Sequence, residues 1–486
     1  MTGKFTLFTA TVPRTLGKVY RLGPSGLEKQ TAGELSEASF EVLSFNTIDQ
    51  FAVLIGSVST AQAISSSIPL SGSIKGKIVA KARAVRHPEA LTRTAKDFGF
   101  PNGTRGVIVL DYDARSDTLP LTQAELWKML TTIAPAVANA GVLWWCSGSS
   151  HIFNDDEKVY GLRGQRLYLM VADTGDTERV GEVLMKRLWL NGYGYIAISS
   201  SGQRLERADI DSAMFQPARL DFAGGAECKP PLVQRRGTPI VLAAGSWLDT
   251  TSAIENLTPD EETRYVALVS AAYAKAAGAA QEARERWKES RRDTAISSLS
   301  STGMTIAEAS ERVDRSLSAA LGGVLLGDFD VRMAGGEAVK IGTILDNRER
   351  FHGALTLDPL EPDYANGKVT GKLFLYGASP TLHSFARGGT TYRLRRQPHR
   401  LYMQRGRKAE LADEILKALA EEPDVFIRGE SLVVMEDGRM RPLRKHNLAH
   451  LIGTRAALYV KNDKGLDLPV DVPNDVVEMV IAMAEG

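Results

Sequence analysis

Residues 107–113 read VIVLDYD. Four apolar residues lead into two acids, Asp111 and Asp113, spaced two apart. A strand turns successive side chains to opposite faces, so the two carboxylates share a face and Tyr112 takes the other. Carboxylates this close repel unless a cation neutralises them. A hard divalent ion does so, and Mg2+ typically uses one or two carboxylates plus substrate phosphates. The plain alternative is a pair of solvated acids where a strand ends.

A third acid bears on the choice. ARLDFAGG places Asp221 between Leu220 and Phe222, again at the end of an apolar stretch. A buried carboxylate there needs a partner. Three acids on neighbouring strand ends can hold two metals roughly 4 Å apart, the arrangement that clamps an in-line phosphoryl displacement. The ordinary role for Asp221 is a turn residue before two glycines.

Between the acids lie GVLWWCSGSSHIF and GLRGQRLYLMV. The first offers Ser149, Ser150 and His151; the second offers Arg163 and Arg166, the latter entering a strand. Arg binds phosphate bidentately and stays charged, so Arg166 and Arg163 are candidate triphosphate ligands. The competing roles are a sheet-edge salt bridge for Arg166 and a surface-loop histidine for His151.

The surrounding pattern is mixed α/β. Residues 1 to about 60 alternate β-rich runs (FTLFTATV, EVLSF, AVLIG) with polar turns. From 105 to 245, strand-like and helix-like patterns alternate. LTPDEE, Leu257–Glu262, is a helix start, with Thr258 as N-cap, Pro259 at the first helical position and acids in the first turn. The reading divides the chain into 1–250, a helical subdomain at 255–322, a β-rich segment at 323–408 and a small α/β unit at 409–486.

Composition narrows the function classes. With 486 residues and a net charge of +1, the chain suits a multidomain globular protein rather than a disordered one. Cys146 and Cys228 are too few for a disulfide framework or a cysteine zinc cluster, which suggests a reducing, cytoplasmic setting. No secretory signal pattern or membrane-spanning run is visible, so no membrane partner is expected. GSIKGK, Gly72–Lys77, lacks the Ser/Thr and spacing of a P-loop.

Charge is uneven along the chain. Lys75, Lys77, Lys81, Arg83, Arg86, Arg93 and Lys96 precede the acids. YRLRRQPHRLYMQRGRK, Tyr392–Lys408, carries Arg393, Arg395, Arg396, Arg400, Arg405 and Arg407, interleaved with Tyr392 and Tyr402. Cations tracking a backbone, with aromatics stacking on bases, are the signature of single-stranded nucleic-acid binding. A solvated basic face is the plainer outcome. RERWKESRR, Arg284–Arg292, is either a DNA-contacting helix or an amphipathic one with Trp287 packed on a neighbour.

The order DYD, then SGSSH with LRGQRLYL, then RLDF resembles the archaeo-eukaryotic primase superfamily. It is most similar to the primase-polymerases of phages and integrated plasmids. HGALTLDPLEPDY (His352–Tyr364) and SPTLHSFARGGTTYRL (Ser379–Leu394) look like segments that follow the primase core in phage primase–helicase polypeptides. The resemblance covers most of residues 70–400. It implies an α/β (α+β) primase-polymerase core at 1–250, the appended helical subdomain, and a C-terminal region that docks or connects to a helicase. It implies Asp111, Asp113 and Asp221 as metal carboxylates, Mg2+ or Mn2+ as cofactor, and NTPs or dNTPs with a single-stranded DNA template as substrates. The setting it implies is replication of a mobile element.

Two departures stand out. The family's nucleotide-binding His begins a strand reading G-x-H-x-Y; here that strand reads GQRLY, so Arg166 stands where His is expected and His151 lies earlier. Related polypeptides often continue into a helicase; here the expectation is a helicase on a separate chain or a missing domain. Two other classes compete. In a haloacid dehalogenase-type phosphatase, Asp111 would be the nucleophile. Arg115 replaces the usual Thr or Val, though, and GDFD at 327–330 matches poorly. A non-catalytic replication initiator or helicase-loading scaffold would keep the fold and bind DNA.

Overall fold

The computed structural model describes residues 2–485 except 13, 25, 33–34, 116–117, 377–378, 423, 437–438 and 463–466, with the side chains of 32, 82 and 436 also left aside. The chain is mixed α/β, built from small sheets, and divides into two units: 1–197 with 206–275, and 198–205 with 276–486.

The first unit opens with the expected alternating strands. Gly3–Val12 and Glu37–Phe45 pair antiparallel, Phe8 facing Phe40, at the centre of a five-stranded sheet that also contains Gln62–Ser65, Lys75–Val79 and Leu91–Thr92. The second sheet carries the acids. Its order is Gly106–Tyr112, Gln165–Val171, Gly141–Cys146, Ile240–Ala244, antiparallel throughout. The three strands GVIVLDY, QRLYLMV and GVLWWC are buried along nearly their whole length. Strands covered on both faces read as continuous apolar runs.

Two amphipathic helices supply part of that cover. Gln123–Ile133 begins with a capping box between Thr122 and Glu125 and buries Leu126, Met129, Leu130 and Ile133, a 3.6-period stripe. Thr177–Leu190 buries Val180, Val183, Leu184 and Leu188. On the other face the helix Ile48–Gly56 sets Phe51 against Tyr168, ring centroids 5.3 Å apart.

The expected helix start at Thr258–Pro259 is present: Glu261 N–H donates to Thr258 Oγ1 and the helix spans Pro259–Lys275. The boundary between the units, however, falls inside the expected helical subdomain. Helix Pro259–Lys275 is tied to Thr177–Leu190 through Lys186–Glu262 at 2.8 Å. Helix Ala277–Ser300 instead pairs with Ile306–Leu321 in the second unit, where Arg292 meets Asp314 at 2.7 Å. Trp287 is buried there and its indole N–H donates to Leu360 O, with Arg291 stacked over the ring. The packing role for RERWKESRR therefore describes its tryptophan.

Among the described residues the second unit has two cores. The first packs Val313, Leu317, Ile341 and Ile344 against a five-stranded sheet ordered Val324–Leu325, Thr390–Leu394, Thr381–Ser384, Gly371–Phe374, Leu355–Thr356. The other lies within the expected α/β region, where helices Lys408–Ala420, Lys445–Arg455 and Asn474–Glu485 share one apolar cluster. Among the described residues no helix is long and apolar enough to cross a membrane.

Candidate active site

Strand register builds the site. Asp111 pairs directly with Arg166, and Trp145 pairs with Arg166 from the other side. By alternation Tyr168 shares their face. Tyr112 takes the opposite face, where its hydroxyl accepts from Leu121 N–H at 2.9 Å. The reading of VIVLDYD as one acidic face with Tyr112 turned away describes the strand.

Asp221 arrives from a separate part of the chain. Its backbone exchanges both hydrogen bonds with Ile64, at 2.8 and 2.9 Å, which adds it to the edge of the Gln62–Ser65 strand. Its side chain then meets the second sheet. Arg166 Nε lies 2.5 Å from Asp221 Oδ1 and 3.8 Å from Asp111 Oδ1. Tyr168 O–H donates to Asp221 Oδ2 at 2.5 Å. Asp221 and Arg166 are both buried; Asp113 is exposed at the strand's end.

The three acids therefore do not form one open metal cage. Among the described residues no group of three or more His, Cys, Asp or Glu side chains is placed to hold a metal ion. The physical reason is Arg166, whose guanidinium pairs with both Asp111 and Asp221. Burial still dominates at Asp111: its carboxyl is pushed up to about 6, with Arg166 pulling it back and Asp113, Asp221 and Asp211 raising it further. Arg166 is held above its ordinary range by Asp221 and Asp111 against the effect of burial. Asp111 Oδ1 and Asp221 Oδ1 are buried without a hydrogen-bond donor in good geometry, and Arg166 Nε and Nη1 are buried without an acceptor in good geometry; the short Arg166–Asp221 contact is an ion pair with poor hydrogen-bond alignment.

Two cations that the sequence reading missed join this cluster. Lys18 sits on Gly17–Gly23, whose parallel pairing with Ala226–Cys228 sets Lys18 beside Ala226, five residues past Asp221. Burial lowers its ammonium below the usual range, Asp113 draws it back up, and Lys29, Arg166 and Asp111 also act on it. Arg236 stacks over Trp145 at 4.5 Å and donates to Ala223 O and Cys146 O, fixing the turn after Asp221. No local motif marks either residue, because pairing distant in sequence delivers both.

The serine loop is partly as expected. Ser149 N–H donates to Ser147 Oγ, and the two hydroxyls lie 2.8 Å apart. A β-carbon on Gly164 would fall 2.6 Å from Ser147 Oγ and 2.7 Å from Asp113 Oδ1. The glycine of LRGQ thus lets Asp113 and the serines meet around one backbone. Ser150 has a structural task, donating to Gly164 O and accepting from Arg163 N–H. Arg163 stacks over Tyr160 at 4.4 Å. His151 adopts φ 57°, its N–H donates to Gly161 O, and burial lowers its imidazole below the usual range with help from Lys158. Its carbonyl accepts from Arg235 N–H, so its backbone is tied to Gly161 on one side and Arg235 on the other.

The basic runs differ most from expectation. Tyr392 is 1% exposed in the core of the second unit and offers no face to a base. Arg395 is half-buried beside Asp424, 3.6 Å away, and that desolvation lowers it to about 10. Arg396 pairs with Asp346 at 2.7 Å, Arg400 with Asp467 at 2.5 Å, and Tyr402 O–H donates to Asp467. Arg393 is exposed on the sheet. Of the earlier run, Lys75 pairs with Glu41 at 2.9 Å, Lys77 is exposed on the same strand, and Arg93 donates to Ala218 O. The late run is therefore mostly internal ion pairing, since alternate residues of Thr390–Leu394 face the core and acids from both earlier and later elements meet the arginines.

Comparison with known proteins returns no matching family model, no matching curated protein and no matching solved structure.

Proposed function

We propose that the first unit is a DNA-templated nucleotidyltransferase of primase-polymerase type, acting on NTPs or dNTPs and single-stranded DNA. The observation that carries this reading is the half-open edge at Asp111 and Asp113. Two carboxylates leave one strand on one face, with Lys18 and the Ser147–Ser149 pair beside them and a neutralised Arg166–Asp221 pair behind. A carboxyl raised by burial beside specific charge partners is a candidate functional group.

The donor set suits one hard cation. Asp111 Oδ1 lacks a hydrogen-bond donor and Asp113 is exposed, so the two could hold Mg2+ or Mn2+ together with substrate phosphates. Such an ion would neutralise phosphate charge and help activate an attacking hydroxyl. The chain's own residues have separate tasks. Lys18 meets the triphosphate as a point charge. Arg166 is a positioning residue: it sets Asp111 and Asp221 rather than reaching a ligand. Tyr168 locks Asp221 through its hydroxyl. Primer synthesis in mobile-element replication, beside a helicase partner, is the setting this reading gives the activity.

A second reading rests on Arg166 itself. With its guanidinium paired to both acids, the chain would be a DNA-binding initiator or loading scaffold that keeps the fold without the chemistry. The phosphatase reading loses support, because Arg115 is held by Asp209 at 2.8 Å and the acid strand lies in an antiparallel sheet.

Extension on single-stranded DNA, with and without primer, in Mg2+ and in Mn2+, separates the two. The proposal expects metal-dependent products that fall by about a thousandfold or more in Asp111→Asn/Asp113→Asn. Lys18→Ala should raise the KM for nucleotide by about tenfold while leaving DNA affinity unchanged. Wild-type protein that binds DNA without making product would leave the scaffold reading standing.

A further inference from the structure

A cavity of about 560 Å³ lies within the second unit. Helices Ala277–Ser300 and Ile306–Leu321 contribute to its wall, and so does the two-stranded sheet of Asp330–Arg332 and Ala338–Lys340. Its apolar lining includes the buried side chains of Leu299, Val313, Leu317 and Phe329. Small residues stand where larger ones would close the space: Ala295 and Ser316 on the helices, Ala338 on the sheet. Protein interiors otherwise pack with few voids larger than a water molecule.

The charges lining the cavity are matched, with one exception. Asp328 pairs with Arg312, one of the two contacts being 2.8 Å. Asp358 accepts from Leu360 N–H, Glu361 N–H and Ser384 O–H. Asp330 faces Lys340 across the small sheet, an opposite-charge cross-strand pair. Arg291 donates to Leu360 O at 2.9 Å and lies over the Trp287 ring. Arg332 is the exception: Ala338 stands opposite it, and its guanidinium makes no ion pair, hydrogen bond or ring contact among the described residues. One buried hydroxyl is unmatched too. Ser316 is 5% exposed, and its Oγ has no hydrogen-bond partner among the described residues, not even the Arg312 carbonyl one turn earlier.

We infer that this cavity binds a small amphipathic monoanion, its apolar body against the Leu299 and Phe329 lining and its carboxylate or phosphate on Arg332. The volume falls in the range of roughly 300–1,000 Å³ that small-molecule clefts occupy, and apolar walls with a few polar groups are their usual make-up. Arg332 decides the sign of the ligand. An anion gains a charge-assisted, two-pronged contact there. A cation meets an uncompensated like charge, and a neutral ligand leaves the guanidinium unused. Ser316 gives the apolar body one hydroxyl to meet. A docked protein would need far more surface than the cavity offers, about 800 Å² on each partner. The inference does not rest on the nucleotidyltransferase reading of the first unit.

The test titrates the full chain with two fluorescent probes: anilinonaphthalene sulfonate, an aromatic monoanion, and phenylnaphthylamine, the same rings without the sulfonate. Wild type should bind the sulfonate about tenfold more tightly than the neutral probe, the share of one charge-assisted contact. Arg332→Ala should erase that preference and leave the affinity for the neutral probe unchanged. Ser316→Leu, which fills the cavity from the helix side, should weaken both probes by about tenfold or more. Thermal melting checks each variant; Arg332 is exposed, so its variant decides the matter even where Ser316→Leu fails to fold. Decanoate and decyl phosphate then compete for the sulfonate site, and the tighter competitor identifies the headgroup. Equal affinity of wild type for the two probes overturns the inference, as does sulfonate binding unchanged in Arg332→Ala. So does a site that neither amphiphile enters, or one that decylammonium enters as well as decanoate.

Discussion

Two buried charge clusters in this chain are built from the same residue types and end differently. In the second unit Arg455 bonds Glu422 and, at 2.7 Å, Asp424, while Arg395 lies 3.6 Å from Asp424. Two arginines face two acids, and all four side chains are largely shielded from water. In the first unit Arg166 also faces two acids, Asp111 and Asp221, yet a third carboxylate, Asp113, stands exposed at the margin with Lys18 nearby. The first unit's cluster presents an exposed carboxylate to solvent, whereas in the second unit's both carboxylates are buried and only Arg395 is partly exposed. A closed, balanced cluster fixes packing; an open one keeps carboxylates where a ligand can reach them. Burial by itself does not separate structural from functional charge.

Substitutions can break this comparison. The largest stability effect is expected at the closed cluster. Arg455→Met strands Glu422 and Asp424 in the interior and should cost about 3–5 kcal/mol in denaturant unfolding, because a buried charge is left unpaired. Any nucleotide incorporation, measured under conditions where the variant stays folded, should be unaffected. An equal loss of incorporation in folded protein would show that the second cluster is no mere packing device.

At the open cluster the sign reverses. The Asp111 carboxyl is raised from 3.8 to about 6, so between those values the folded chain keeps a proton that the unfolded chain releases. Stability therefore falls as pH rises through that window and levels off above it. Asp111→Asn should remove this slope and stabilise the metal-free protein at pH 7 by about 1–3 kcal/mol. The same variant should lose incorporation, the trade-off expected where a site keeps an unfavourable charge. Unfolding curves at pH 4, 5, 6 and 7 provide the check; an Asp111→Asn protein with the wild-type slope would show that Asp111 is not the group responsible.

The smallest effect is expected in the late basic run. Arg396→Ala/Arg400→Ala should change single-stranded DNA affinity by less than about twofold, since both guanidinia are engaged by Asp346 and Asp467. A loss of tenfold would return the run to the nucleic-acid interface.

Much of the fold around the acids was legible because its signals are local. VIVLDYD, GVLWWC and QRLYLMV are strands, and alternation placed Asp111 and Tyr112 on opposite faces. The Thr258–Pro259 start of a helix was equally plain. The site was legible as a set of acids but not as an arrangement. That Arg166 lies opposite Asp111 depends on strand register, and that Asp221 reaches it depends on a bridge to Ile64 far earlier in the chain. Lys18 carries no motif at all. In the basic run, composition suggested a DNA surface, but alternation buried Tyr392 and acids distant in sequence met the arginines. The unit boundary after Lys275 was hidden because AYAKAAGAAQ reads as one uninterrupted helix, whereas the helical run breaks at Ala276 and the two helices take different packing partners.

The claim that matters most is that the open cluster accepts a divalent cation and the closed one does not. Titration of the full chain with Mn2+, followed by the loss of the free-ion paramagnetic resonance signal, measures this without any turnover. The account predicts binding by wild type, binding retained in Glu422→Gln, and binding weakened by about tenfold or more in Asp111→Asn/Asp113→Asn. Equal Mn2+ binding by the wild type and the Asp111→Asn/Asp113→Asn protein, or none by either, would contradict it.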